Sequence, residues 1–182
     1  MPRTRIVLSG SGGQGVITAA IILAESAVLY EQMTAVQTQS YGAAARGGAS
    51  RADVILSDTK INYPMVNQPN ILVCLNQEAY NAYASTIRPG GLLLTDNRFV
   101  KIERKVDALQ RELPMYETVM KRIGNNIVFN ICMLGALIGM TQLIRVESVL
   151  AGLQERVPPT FYDINTQALH IGIELGRPFH MT

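Results

Sequence analysis

Residues 10–15 read Gly10-Ser11-Gly12-Gly13-Gln14-Gly15 and stand between a short apolar run, Ile6–Leu8, and a stretch of helical character, Val16–Glu31. A strand, a glycine turn and a helix in this order are typical of a nucleotide-binding βαβ unit, and the glycines fit the G-x-G-x-x-G spacing. Glycine allows a tight turn, and the N-terminus of the following helix directs free N–H groups at an anion. The stretch therefore predicts a turn that favours phosphate, pyrophosphate or carboxylate.

The same spacing also occurs in nicotinamide-dependent dehydrogenases, and the next strand tests that alternative. In those enzymes an Asp or Glu that binds the ribose ends the second strand, roughly 20 residues further on. The predicted second strand, Thr34–Gln37, is followed by Thr38-Gln39-Ser40, and no Asp or Glu occurs from Gln32 to Gly48. A stand-alone nucleotide-binding oxidoreductase of Rossmann type is therefore the alternative and not the favoured interpretation.

The second candidate anion site is Arg46-Gly47-Gly48, in a loop of small residues after the predicted second strand. Arginine presents a planar fork suited to carboxylate or phosphate, and neighbouring glycines allow backbone N–H groups to converge on an anion. In an open α/β sheet the ligand binds beyond the carboxyl ends of the strands. We therefore expect this loop and the turn at residues 10–15 to converge on one anionic group. Docking of the loop against a partner chain is the open alternative.

Strand and helix patterns alternate along the first half of the chain, which favours an α/β fold. The predicted strands cover residues 6–9, 34–37, 51–56, 71–76 and 92–96, and residues 60–63 are predicted to return against 51–56 as a hairpin. No strand is predicted after residue 105, and helices are predicted over 16–31, 77–86, 114–123, 127–139, 146–155 and from a cap at Asp163 or Asn165 to Leu175. The prediction is one domain, residues 1–182, with a three-layer Rossmann-like architecture, a mixed and mostly parallel sheet, and a helical C-terminal third.

Composition narrows the function classes. Of the 182 residues, 48% are hydrophobic and only 16% are charged, which indicates that a partner covers part of the surface. A net charge of +2 and the lack of Trp give no basis for nucleic-acid binding. The longest apolar stretch, Ile127–Met140, contains Asn130 and is too short for a membrane span. We expect a buried core or interface helix there, in a cytoplasmic protein that binds no membrane.

Few residues in the chain are suited to catalysis or metal binding. The two cysteines, Cys74 and Cys132, form no C-x-x-C motif, so neither an iron–sulfur cluster nor a structural zinc site is expected from this chain alone. His170 falls in the predicted last helix and His180 near the C-terminus, while Asp96 ends a strand and is expected to cap a loop. We therefore predict no catalytic residue and no metal site, which favours a binding or assembly subunit.

Several motifs occur together, and they extend over most of the chain. They are Gly10-Ser-Gly-Gly-Gln-Gly15, Gln39-Ser-Tyr-Gly42, Arg46-Gly-Gly-Ala-Ser50, Val54-Ile-Leu-Ser-Asp58 with Pro64, Pro89-Gly-Gly91 and Asn126–Leu137. In this combination the chain resembles the gamma subunit, or gamma domain, of 2-oxoacid:ferredoxin oxidoreductases. It is most similar to the stand-alone gamma subunit of the 2-oxoglutarate (2-ketoglutarate) enzymes, although those of pyruvate, 2-oxoisovalerate and indolepyruvate enzymes look alike. Ala43-Ala44 stands where many members carry Pro-Glu, so an acidic contact from this loop is not expected.

The resemblance implies a non-catalytic subunit of an enzyme that oxidatively decarboxylates a 2-oxoacid. Coenzyme A accepts the acyl group and ferredoxin accepts the electrons. Thiamine diphosphate, magnesium and iron–sulfur clusters are expected on partner subunits of alpha, beta and delta type, and ferredoxin is reached through the complex. The isolated chain is expected to be inactive.

The resemblance also implies a role for the candidate anion sites. The residues expected to contact coenzyme A are Gly10, Ser11, Gly12, Gly13, Gln14, Gly15, Arg46, Gly47 and Gly48. The phosphates of coenzyme A are anions of the kind that glycine turns and arginine bind. A pure assembly role, in which the turn binds no ligand and packs against a partner, is the alternative.

Overall fold

The computed structural model describes residues 3–41 and 49–181, with only the backbone of Tyr41. These residues contain a six-stranded sheet. The strands are β1 (Thr4–Gly10), β2 (Thr34–Tyr41), β3 (Ser50–Ser57), β4 (Ile71–Cys74), β5 (Gly91–Asp96) and β6 (Ala108–Leu113). Their order across the sheet is β2-β3-β1-β4-β5-β6. Strand β3 is antiparallel to both of its neighbours, whereas β1, β4, β5 and β6 pair in parallel. The sheet is therefore mixed and mostly parallel, as predicted.

Helices cover the two faces of the sheet unequally. The helices are α1 (Val16–Glu31), α2 (Gln77–Tyr83), α3 (Met115–Arg122), α4 (Phe129–Thr141), α5 (Val146–Arg156) and α6 (Tyr162–Gly176). The larger hydrophobic core joins one face to α1 and α3–α6, and the smaller core joins the other face to α2 and irregular segments. The fold thus has the predicted three layers and the predicted helical C-terminal third.

Helix α1 follows the sequence prediction closely, whereas β2 extends beyond the predicted residues 34–37 and is separated from β1 by β3. Helix α1 has the predicted bounds because a left-handed residue stands at each end, Gly15 with φ 70° and Gln32 with φ 56°.

Helix α4 is buried from Phe129 to Met140, which explains why it is apolar on all sides. Its Gly135 lies against α6, where a Cβ would come within 2.1 Å of the Leu169 carbonyl oxygen.

The predicted hairpin at residues 60–63 is wrong, because these residues form no strand. Strand β3 is already paired on one edge with β1 and on the other with β2. Both edges of β3 are therefore occupied by segments from earlier in the chain. The alternating pattern of residues 51–56 correctly indicates a half-buried strand but does not identify its partners.

The C-terminal half differs from the prediction in two further places. Strand β6 was not expected, since it lies at the edge of the sheet and its Leu109-Gln-Arg-Glu112 stretch is polar and largely accessible. Helix α6 begins at Tyr162 with no side-chain cap, so the predicted caps are wrong. Instead, Asn165 lies in the first turn of α6 and its Nδ2 donates a hydrogen bond to the Phe161 carbonyl oxygen over 2.8 Å.

Candidate functional site

The glycine turn lies at the carboxyl end of β1, which is the edge where an open α/β sheet binds its ligands. Gly10, the last residue of β1, pairs with Ser50 of β3, and Ser50 also pairs with Tyr41 of β2. The chain on either side of residues 42–48 is therefore at the same edge as the turn. Arg46-Gly47-Gly48 lies outside the described residues, so its convergence with the turn stays a prediction.

Gln14 holds the turn together. Its Oε1 accepts a hydrogen bond from the Ser11 backbone N–H over 2.7 Å, and its Nε2 donates one to the Leu75 carbonyl oxygen over 3.0 Å. A Cβ on Gly10 would lie 2.5 Å from Gln14 Oε1, so a side chain at position 10 would displace the Gln14 amide from this arrangement. Both polar atoms of the Gln14 side chain are engaged within the fold. Gln14 is thus suited to position the turn, while the backbone around it is the part open to a ligand.

The tip of the turn is open to solvent. Gly12 and Gly13 are exposed, and no atom of residues 3–41 or 49–181 would lie within 4 Å of a Cβ on either. Gly13 has φ 87°, in the left-handed region that favours glycine. Helix α1 follows with no side-chain cap and with no acidic residue in its first turn. The partial positive charge at its N-terminus is therefore not balanced by a carboxylate of that turn and is available to an anion.

Asn130 supports the turn from the opposite side, and sequence reasoning missed this role. It lies in α4 and its Nδ2 donates a hydrogen bond to the Gly15 carbonyl oxygen over 3.2 Å. A Cβ on Gly15 would lie 2.6 Å from that nitrogen. Asn130 is one of few buried polar side chains, in a helix that is otherwise apolar. The polar interruption of the apolar stretch is the signal that could have found it.

Asp96 caps a loop, as predicted. It is buried at the carboxyl end of β5 and accepts hydrogen bonds from the backbone N–H groups of Tyr116, over 2.8 Å, and Arg98, over 3.0 Å. Burial raises the pKa of Asp96, and the hydrogen bonds from Tyr116, Arg98 and Met115 act against this effect. Its described side-chain contacts are with the turn after β5 and with the first turn of α3, so Asp96 has a structural role here.

Both cysteines are buried, whereas His170 is exposed. Burial raises the pKa of Cys74 to about 12, and burial with the nearby Asp96 charge raises that of Cys132 to about 12. Both thiols are thus protonated at neutral pH. His170 is exposed, with Nδ1 2.9 Å from the Thr166 carbonyl oxygen.

In residues 3–41 and 49–181, no three His, Cys, Asp or Glu side chains are grouped so as to hold a metal ion. None of the helices described in the same ranges has both the length and the apolar character needed to cross a bilayer.

The family model described as "Pyruvate ferredoxin/flavodoxin oxidoreductase" matches residues 5–175. The chain belongs to this family, whose members act in oxidoreductases. It is 42% identical over 177 residues to the 2-oxoglutarate synthase subunit KorC of Methanocaldococcus jannaschii, covering 96% of this chain and 95% of the relative. It is 40% identical over 180 residues to KorC of Methanothermobacter thermautotrophicus, covering 95% of both chains.

A solved structure agrees with these sequence matches. It is the crystal structure of the keto/oxoacid ferredoxin oxidoreductase gamma subunit from Geobacter sulfurreducens PCA. It matches with a TM-score of 0.90 and 35% identity, and the match covers 100% of both chains. The family resemblance and the fold class drawn from the sequence are thereby confirmed.

Proposed function

We propose that this chain is the gamma subunit of a heteromeric 2-oxoglutarate:ferredoxin oxidoreductase. The observation that carries the proposal is the similarity to KorC, which extends over 96% of this chain and 95% of the relative. A match of this extent favours the same role in the same kind of complex. The alternative substrates are those of the related pyruvate, 2-oxoisovalerate and indolepyruvate enzymes.

In this proposal the complex converts 2-oxoglutarate, coenzyme A and oxidised ferredoxin to succinyl-coenzyme A, carbon dioxide and reduced ferredoxin. Thiamine diphosphate, magnesium and iron–sulfur clusters belong to partner subunits of alpha, beta and delta type, in a cytoplasmic complex. The protonated, buried thiols of Cys74 and Cys132 support a non-catalytic role for this chain, since the thiolate is the reactive form. The contribution of this chain is then assembly and ligand binding.

We also propose that the glycine turn binds a phosphate group of coenzyme A. The backbone around the exposed Gly12 and Gly13 and the first turn of α1 would hold it, and Arg46 would reach the same or a second phosphate. An anion at a helix N-terminus gains about 0.3–1 kcal/mol at an exposed site. Gln14 would act as a positioning residue. The open tip of the turn and the lack of an acidic residue in the first turn of α1 support this assignment.

The alternative of a stand-alone nucleotide-binding oxidoreductase of Rossmann type has no support from the second strand. The carboxyl-terminal residues of β2, Thr38 to Tyr41, include no Asp or Glu that would bind a ribose hydroxyl. Calorimetry with NADH, NADPH and FAD tests this alternative. Micromolar binding of any of the three would favour it over the subunit role.

Co-purification tests the subunit role. An affinity tag on this chain in its source cells should recover subunits that carry thiamine diphosphate and iron–sulfur clusters. The recovered complex should reduce ferredoxin faster with 2-oxoglutarate than with pyruvate, 2-oxoisovalerate or indolepyruvate. Recovery of the chain alone would contradict the subunit role, and a preference for another 2-oxoacid would correct the substrate.

Two substitutions in the assembled complex separate ligand binding from pure assembly. Gly12→Ala adds a methyl group at the open tip, where no atom of the described residues lies within 4 Å, and Arg46→Ala removes the guanidinium. We expect assembly to be intact and the KM for coenzyme A to rise about tenfold in each variant. An unchanged KM in both variants would favour the assembly role instead.

A further inference from the structure

A cavity of about 580 Å³ lies at the amino-terminal edge of the parallel strands, opposite the glycine turn. Arg5 of β1 and Arg88, in the turn before β5, both line it. The remaining lining includes the amide side chains of Asn67 and Gln68 and the large side chains of Tyr63 and Met65. We call this cavity the arginine cavity.

The backbone fixes the two arginines beside each other. The Arg5 N–H donates to Asn70 Oδ1 over 2.9 Å, and the Asn70 N–H donates to the Arg5 carbonyl oxygen over 2.8 Å. The Arg88 N–H donates to the carbonyl oxygen of Pro69, the neighbouring residue, over 3.1 Å. The backbones of Arg5 and Arg88 are thus bonded to two consecutive residues, Asn70 and Pro69 respectively.

The charges of the arginine cavity are not compensated. Among residues 3–41 and 49–181, the guanidinium groups of Arg5 and Arg88 have no hydrogen-bond or ion-pair partner, and no Asp or Glu lines the cavity. Four arginines elsewhere in the described residues have carboxylate partners, namely Arg51, Arg122, Arg145 and Arg156, and the arginine cavity differs from the remaining surface in that two unpaired guanidinium groups line one site. Arginine stays charged in proteins and binds carboxylates with two parallel hydrogen bonds. Two unpaired guanidinium groups in one cavity therefore favour an acidic occupant.

Two large side chains that line the arginine cavity with the arginines favour a protein as that occupant. Tyr63 is 60% exposed and Met65 is 54% exposed. Their segment is fixed on both sides, because Arg3 donates to the Lys60 carbonyl oxygen over 3.0 Å and Arg51 to the Val66 carbonyl oxygen over 2.6 Å. The two large side chains are thus held in exposed positions. Tyr, Met and Arg are enriched in protein–protein interfaces.

We propose that the arginine cavity docks a partner subunit of the complex through an acidic segment. Two carboxylates of that segment pair with Arg5 and Arg88, and an apolar side chain between them packs on Tyr63 and Met65. This inference rests on the proposed function, since it requires a heteromeric complex. It also places subunit docking and ligand binding at opposite edges of the sheet.

The test is reconstitution of the complex with an Arg5→Glu/Arg88→Glu double variant. We expect its dissociation constant for the partner subunits to rise about a hundredfold, because each carboxylate of the partner then meets a like charge. The matched control is Lys121→Glu on the exposed surface of α3, which should bind as the wild type does. If the double variant fails to fold, Tyr63→Ser/Met65→Ser serves instead, with about a tenfold loss of affinity expected.

A photo-crosslinker at position 63 of the assembled complex identifies the occupant. A crosslinked peptide from a partner subunit that contains Asp or Glu supports the proposal, and a crosslink to a second copy of this chain overturns it. Unchanged affinity of both double variants also overturns it. A different set of results would assign the cavity to a small anion. In that case inorganic phosphate raises the Tm of the free wild-type chain, and the Arg5→Glu/Arg88→Glu variant shows no such rise. The affinity of that variant for the subunits is then unchanged. If the wild-type chain binds no subunit at all, the proposed function fails as well.

Discussion

The side-chain Nδ2 of Asn130 donates a hydrogen bond to the carbonyl oxygen of Gly15 over 3.2 Å, across 115 residues of sequence. Through this contact the buried helix α4 supports the start of α1. Gln14 ties the same turn to Leu75, after the neighbouring strand β4. The glycine turn is therefore held from two sides while its tip, at Gly12 and Gly13, stays open. A turn fixed in this way would need little rearrangement to bind the proposed anion.

Asn130→Ala should weaken both the fold and the ligand site. Loss of the hydrogen bond and of buried volume should lower the free energy of unfolding by about 1–3 kcal/mol. The KM for coenzyme A should also rise, because the start of α1 loses its support. The matched control is Asn165→Ala, which removes an equally buried Asn with a hydrogen bond inside α6. Denaturation and steady-state kinetics together check the prediction, and an equal KM in both variants would contradict it.

Gln14→Glu should disturb the turn without a change in size. The new carboxylate still accepts from the Ser11 N–H, but its second oxygen faces the Leu75 carbonyl oxygen and repels it. It also adds a negative charge beside the proposed phosphate position. We expect the KM for coenzyme A to rise about tenfold or more, with a smaller change in kcat.

The matched control for that substitution is Gln77→Glu. Gln77 bridges the backbone N–H and carbonyl oxygen of Lys101 in the same manner as Gln14 bridges its partners. Gln77→Glu should show a loss of stability comparable to that of Gln14→Glu and an unchanged KM for coenzyme A. If the two variants had the same KM for coenzyme A, the positioning role of Gln14 would be wrong.

Gly135→Ala should destabilise the packing of α4 on α6. The added Cβ would lie 2.1 Å from the Leu169 carbonyl oxygen, which belongs to backbone and cannot move aside alone. Overpacking of this kind costs about 1–3 kcal/mol, which lowers the Tm by roughly 2–10 °C in a chain of this size. Calorimetry checks this, with Gly12→Ala as the control that meets no atom. A Tm of Gly135→Ala equal to that of the control would contradict the close helix contact.

Asp96 should make the stability of the fold depend on pH in a defined direction. Burial raises its pKa in the folded state, so the folded chain binds the proton more tightly than the unfolded chain. The resulting stabilisation is fully present below the ordinary pKa of Asp and is lost as the pH rises through the raised value. The free energy of unfolding, relative to Asp96→Asn, should therefore fall with increasing pH over this window. A rise over the same window would show that the hydrogen bonds outweigh burial.

Local patterns predicted the local structure well. The glycine turn, the bounds of α1 and the cap at Asp96 follow from residues close together in sequence. The pairing of β3 with β1 and β2 did not follow, because a strand pattern does not encode its distant partners. The hydrogen bond from Asn130 to Gly15 was also missed, because it too joins residues that are far apart in sequence. Strand β6 was missed because an edge strand needs no apolar run.

The claim that the glycine turn binds coenzyme A can be tested with one pair of glycine variants. Gly13 and Gly90 both have positive φ, 87° and 73°, and both have open space where a Cβ would stand, but they lie at opposite edges of the sheet. Alanine at either position therefore costs a similar strain of about 1–2 kcal/mol. The measurement is the KM for coenzyme A of the intact complex. We predict a rise of about tenfold for Gly13→Ala and no change for Gly90→Ala, whereas equal values for the two variants would contradict the claim.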